Sequence, residues 1–162
     1  DLGITKLQPG RHYTIAAMGD LARISTIKFS LIEDDLSVQG GQARMRFINA
    51  SADVSSADLG FGSGAQWTPQ LSDAIYGSVG LTSGLAYLTT PGLSNATVAV
   101  RQSGTATDSL TITSKVNIAP GTVASTIFSG LADISKGGFS LIVCNDSAPT
   151  QNGLTPCIEL LK

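Results

Sequence analysis

The stretch Ala43-Arg44-Met45-Arg46-Phe47-Ile48-Asn49 alternates apolar and charged side chains with a period of two. In an extended chain Met45 and Phe47 fall on one face and Arg44 and Arg46 on the other, whereas a helix would scatter the arginines around its circumference. Leu110-Thr111-Ile112-Thr113 repeats the pattern. Similar short runs rich in β-branched and aromatic residues lie on both sides of this stretch, separated by Gly, Pro, Asn and Ser. They are Tyr13 to Met18, Ile27 to Glu33, Leu85 to Thr89, Ala96 to Gln102, Ser109 to Asn117, Thr122 to Phe128, Phe139 to Cys144 and Ile158 to Leu161. Turn residues between strands every 8 to 12 residues or so mark an antiparallel sandwich or barrel.

Composition agrees. Hydrophobic residues make up 42% of the 162 residues and charged residues only 14%, with Ser, Thr and Gly in place of the Lys and Glu usual in helical proteins. That exchange disfavours helices and suits strands. A single domain of this length buries enough surface to hold itself together. The net charge of −2 leaves no basic footprint for nucleic acid or an anionic membrane surface. No apolar run reaches the length of a membrane-spanning helix. No charged-then-apolar leader follows Asp1, so a secreted chain is expected to have lost its signal peptide already.

Cys144 and Cys157 flank a turn-rich loop and are expected to form a disulfide, which favours an oxidising compartment; two unlinked thiols are the alternative. With His12 as the lone histidine, the cysteines do not make a zinc spacing. No cofactor and no metal are expected.

The chain also repeats itself. Leu7-Gln8-Pro9-Gly10 matches Ile118-Ala119-Pro120-Gly121, and Ile24 through Phe29-Ser30-Leu31-Ile32 matches Ile134 through Phe139-Ser140-Leu141-Ile142. Residues 1–38 therefore read as the C-terminal hairpin of a preceding repeat, residues 39–162 as one complete β-sandwich repeat, and Leu36 to Gln42 as the linker. An orphan hairpin leaves sheet edges open, so residues 1–38 are expected to pack on the module.

Residues 43–53 (Ala-Arg-Met-Arg-Phe-Ile-Asn-Ala-Ser-Ala-Asp), Ala57-Asp58-Leu59, the Ala119-Pro120-Gly121-Thr122 turn and the strand ending in Asn145-Asp146 resemble the domain of unknown function 4397 family. Asn49 stands where that family often has His, Ala52 where it often has Pro, and the insertion Gly60 to Val79 is longer than expected. The resemblance implies an antiparallel immunoglobulin-like β-sandwich, no established catalysis, tandem copies, and secretion to a bacterial cell surface or periplasm.

Candidate sites are few. A nucleophilic triad would have to use His12, and Gly62-Ser63-Gly64 lacks the strand-to-helix turn of a nucleophile elbow. The glycines from Gly60 to Gly64 read as a flexible hairpin or loop tip, since a phosphate loop needs a following helix and usually a Lys. Glu33, Asp34, Asp35, Asp53 and Asp58 lack a calcium-loop pattern and read as solvated or turn-capping acids. Asn49, Asn95 and Asn145 head glycosylation triplets that matter only in a glycosylating host. Within the long stretch Gly60 to Leu81, Trp67 and Tyr76 are the possible ligand contacts. They are expected to cover the open end of the core, or else to form a recognition surface.

The function expected is a non-catalytic extracellular structural or adhesive repeat module. Its partners would be neighbouring repeats and an unknown protein or glycan. The alternative is a carbohydrate-binding module using Trp67 with Tyr76 or Tyr87.

Overall fold

The computed structural model describes residues 7–78, 87–105, 112–133, 135, 137–148 and 155–160. Ile134 of the repeat match, residues 79–81 of the long stretch, and the ends of three expected strands at 85–86, 109–111 and 161 lie outside the described residues. Among those described there are eleven strands and no α-helix. Strands β1 (His12–Met18) and β2 (Lys28–Asp34) form a hairpin of their own.

The remaining strands make two sheets. β3 (Ala43–Asn49), β6 (Leu88–Thr90), β9 (Val123–Gly130), β10 (Phe139–Asn145) and β11 (Cys157–Leu160) form a five-stranded sheet in the order β11-β10-β9-β3-β6. β4 (Ser56–Phe61), β5 (Thr68–Ile75), β7 (Leu93–Gln102) and β8 (Ile112–Ile118) form a four-stranded sheet in the order β5-β4-β7-β8. All pairings are antiparallel except β3 with β9.

The two sheets share one apolar core, as in a β-sandwich. The inward positions of β3, Met45 and Phe47, meet Leu59, Leu71, Val98 and Val100 of one sheet and Phe128 and Leu141 of the other. Phe128 and Phe139 stack with ring centroids 5.0 Å apart. Each large side chain buried this completely stabilises the fold by about 1.5–3 kcal/mol.

Cys144 and Cys157 are opposite one another on β10 and β11 and are joined by a disulfide. It ties a four-residue edge strand to the sheet, and closing a loop of this size contributes about 3 kcal/mol in the chain-entropy model.

The described part of the long stretch from Gly60 is a β-hairpin through Ile75. β4 turns at Gly62, passes a single 3-10 turn at Gly64–Gln66 and returns as β5. Pro69 is tolerated because β5 is the sheet edge, where no neighbour needs its missing N–H. Asp73 sits at φ 56° in a bulge where its amide donates to Asp58 Oδ1 at 2.7 Å.

Hairpin β1–β2 has the build of hairpin β9–β10. Each follows a Pro-Gly turn closed in the same way, by Arg11 N–H to Gln8 O and by Thr122 N–H to Ala119 O, with Gly10 at φ 78° and Gly121 at φ 86°. Thr14 pairs with Ile32 and Ser125 with Cys144. Superposed by pairing, Thr14 falls on Ser125, Asp34 on Asp146, Gly19 on Gly130 and Ile27 on Phe139. Both glycines have positive φ, and a Cβ on Gly19 would lie 2.9 Å from Ile27 Cα, one on Gly130 3.0 Å from Phe139 Cα. The sequence match sets Phe29 on Phe139 instead, an offset of two residues that keeps every side chain on its own face.

Candidate functional site

Alternation along β3 puts Arg44 and Arg46 on the face away from the core. Arg46 is nevertheless only 1% exposed, because both hairpins close over it. Its Nη1 donates to Asp34 Oδ1 at 2.6 Å and its Nη2 to Thr14 Oγ1 at 2.8 Å, both from hairpin β1–β2. Its Nε donates to Ser125 Oγ at 2.6 Å, and Nη2 lies 3.5 Å from Asp146 Oδ2, both from the β9–β10 side. Thr14 in turn donates to Asp34, and Ser125 to Asp146. Each equivalent pair thus offers the guanidinium a hydroxyl to donate to and a carboxylate to neutralise it. A charge this deeply buried is tolerable only with such partners.

Asp53 makes a second bridge between the hairpins. Its Oδ1 takes Arg23 Nη2 from the β1–β2 turn at 2.5 Å, and its Oδ2 takes the Ala132 amide from the β9–β10 turn at 2.9 Å. Between these bridges Lys28 Nζ donates to Tyr76 O at 2.9 Å, Ser30 Oγ donates to Gly77 O at 2.8 Å, and the Tyr76 hydroxyl donates to Thr26 O. At the linker, Arg44 Nη1 bonds Asp35 Oδ2 at 2.8 Å and Ser37 O at 2.7 Å. Tyr87 is buried with Arg44 4.4 Å and Arg46 5.5 Å from its ring centroid.

The electrostatics follow the burial. Burial pushes the Asp146 carboxyl above its ordinary range, with Ser125 and Arg46 pulling it back. The exposed Asp35 is held at about 2, chiefly by the Ser37 hydroxyl, then by Arg44 and the Ser37 amide. Asp53 is lowered by the Ala132 amide and Arg23. A carboxyl whose pKa is lower docked than free favours docking above its ordinary value of 3.8 and loses that contribution as pH falls through the docked value. Asp146 has the opposite sign, gaining as it takes up a proton. Of the two lowered carboxyls only Asp53 is held by groups of both hairpins, whereas Asp35 is held chiefly by Ser37 in its own linker. Pepsin cleavage of the linker around Leu36, relative to cleavage of an unfolded substrate, is therefore expected to accelerate as pH falls below 3.8. Asp53→Asn should flatten that rise, whereas Asp146→Asn should leave it in place; an unchanged rise in Asp53→Asn would contradict the assignment.

The possible ligand contacts have structural employment. Trp67 is half-buried, donates Nε1–H to Ala99 O at 3.1 Å, and has the Arg101 guanidinium 4.3 Å over its ring. It lies across Gly60, where an added Cβ would come 2.5 Å from Thr68 O, so the ring fills the space that a strand glycine leaves open. Gly60→Ala is expected to cost about 1–3 kcal/mol and to shift Trp67 emission; an unshifted spectrum at full stability would sink this packing role. Tyr76 belongs to the hairpin contacts, with Lys28 Nζ 4.7 Å over its ring.

The other singled-out residues are also placed. His12 is exposed at the start of β1 and shares a cleft of about 570 Å³ with Asp34, Asp146 and Ser147. Ser147 Oγ is engaged there with Asn145 Oδ1 and the Val123 amide. Glu33 pairs with Arg11, and Asp58 accepts the Ser103 hydroxyl. Asn49 is fully buried, donating to Val54 O and Ala74 O. Its glycosylation triplet is closed off in the folded chain.

Sequence reasoning did not single out Arg46 as a site. The available signal was the acid following each copy of the hairpin, Asp34 and Asp146, with an arginine strand between them in sequence. Arg46 and Asp53 both lie in the stretch that carries the family resemblance. No protein-family model matches the chain, and no curated protein matches it.

Proposed function

We propose that the chain is a non-catalytic structural or adhesive repeat module of the extracellular space, built to hold consecutive β-sandwiches in fixed relation. One observation carries the reading: Arg46 and Asp53 each bind the β1–β2 and β9–β10 hairpins at once. A joint with a buried charge at one end and a bridging carboxylate at the other resists bending, which is what a spacer requires. In this reading residues 1–38 are the tail of one repeat and residues 39–162 the next.

The two-sheet, mostly antiparallel build supports an immunoglobulin-like topology. The residues at 43–53 and 57–59 support kinship with the domain of unknown function 4397 family, and with it export to a bacterial surface or periplasm. The disulfide is compatible with that compartment. No helix among the described residues is long and apolar enough to cross a membrane. The partners are neighbouring repeats and a protein yet to be identified.

The carbohydrate-binding alternative draws little support, since Trp67, Tyr76 and Tyr87 are each occupied by a cation and by packing. Two measurements test the proposal together. A glycan panel is expected to leave Trp67 emission unchanged, and saturable quenching by any sugar would transfer the function to glycan binding. Limited proteolysis is expected to leave the hairpin attached to the module, and rapid cutting near Gly40 with release of a soluble 39–162 unit would remove the rigid joint.

A further inference from the structure

Hairpin β1–β2 has one face on the module and one face in solvent. Thr14 and Asp34 look inward, whereas Ile15 is 61% and Phe29 58% exposed, with Ala17 open beside them. Superposed by pairing on β9–β10, Ile15 and Ala17 fall on Thr126 and Phe128, and Leu31 and Phe29 on Val143 and Leu141. Phe128 and Leu141 are fully buried in the core. The solvent face of the first hairpin is therefore the core face of the second. The pair is smaller, Ala17 opposite Phe29 where Phe128 is opposite Leu141, yet it stays apolar and leaves the same kind of surface to be covered.

The edges agree with the faces. β9 is flanked by β10 on one side and, in parallel, by β3 on the other, with Arg44 beside Val123 and Arg46 beside Ser125. β1 is paired only with β2 among the described residues. A sheet edge and an apolar face exposed together invite a strand and the sheet behind it.

We propose that the Ile15–Phe29 face and the open edge of β1 are the docking surface for a sandwich of this same build lying upstream in a tandem array. Its β3-type strand runs parallel to β1 and its opposite sheet covers Ile15, Leu31 and Phe29. The proposal rests on the repeat-module reading and adds where the neighbouring repeat is joined. The hairpin is then shared: its outer face completes one core while its inner face, through Arg46, is locked to the next.

The test lengthens the full chain by its own internal correspondence. Residues 39–119 are fused ahead of Pro9, so that β3 to β8 run into β1–β2 as they do into β9–β10. The unlengthened chain is expected to bind a hydrophobic dye, and Ile15→Asp to abolish that binding. The lengthened chain is expected to bind none, to protect its β1 amides from hydrogen exchange, and to lose that protection in Ile15→Asp. A second lengthened chain carrying Ala17→Phe and Phe29→Leu reproduces the β9–β10 pair and guards against a misfit of the fused strands. If dye binding persists and the added strands exchange freely in both lengthened chains, the proposal is overturned. It is overturned equally if the unlengthened chain forms dimers that Ile15→Asp dissolves, since a second copy then occupies the face. Release of the hairpin by cutting near Gly40 in every form would instead defeat the repeat-module reading itself.

Discussion

Arg46→Ala is expected to lower the free energy of unfolding by about 3–5 kcal/mol, the range for breaking a buried ion pair from one side. Arg46, Asp34 and Asp146 have side chains 1%, 9% and 9% exposed, so removing the guanidinium strands two largely buried carboxylates at the base of the His12 cleft. Thr14 and Ser125 would each lose a donor at the same time. The penalty comes from what is left behind rather than from what is removed. Replacing all three charged side chains by apolar residues of similar size, Arg46→Met with Asp34→Leu and Asp146→Leu, should therefore recover much of the loss. Urea denaturation of the single and triple variants measures both numbers. A single variant within 1 kcal/mol of the parent would mean that these carboxylates are open to water.

Phe128→Ala is expected to cost about 3–5 kcal/mol, because its ring is fully buried and stacked on Phe139 and the cavity left cannot be filled by its neighbours. Phe29→Ala, on the first hairpin, should stay within about 0.5 kcal/mol in the chain as described, the usual range for a surface position. These two phenylalanines stand on corresponding faces of corresponding hairpins. The contrast between them measures what covering that face is worth. Thermal or urea unfolding of the two variants reads it directly, and equal costs would mean that the Phe29 face is buried in solution by something else. Phe29→Ala should become expensive in the lengthened chain.

Much of the fold was legible. The alternation at residues 43–49 identified β3 and its two faces, the turn-punctuated runs located most of the other strands, and the cysteine spacing anticipated the disulfide. β5 was missed for a definite reason. Leu71 and Ala74 are both buried although three residues apart, because the bulge at Asp73 interrupts the period of two. A search for alternation sees Thr68-Pro69-Gln70 and a broken pattern, and reads a loop. Trp67 and Tyr76 flank this strand, and their contacts with Arg101 and Lys28 come from segments distant in sequence that only the tertiary structure brings there.

What the order of residues determined is local: which segments extend, which side chains share a face, and where the turns lie. Those properties follow from backbone sterics and side-chain periodicity, which act over a few residues. The role of Arg46 was decided only by the tertiary structure. Its position on the non-core face was readable, yet its burial depends on Asp34, 12 residues away, and Ser125, 79 residues away, arriving at the same guanidinium. A charged side chain facing away from the core is a solvated surface residue until a second sheet covers it. Whether that happens is set by long-range packing, and no local pattern encodes it.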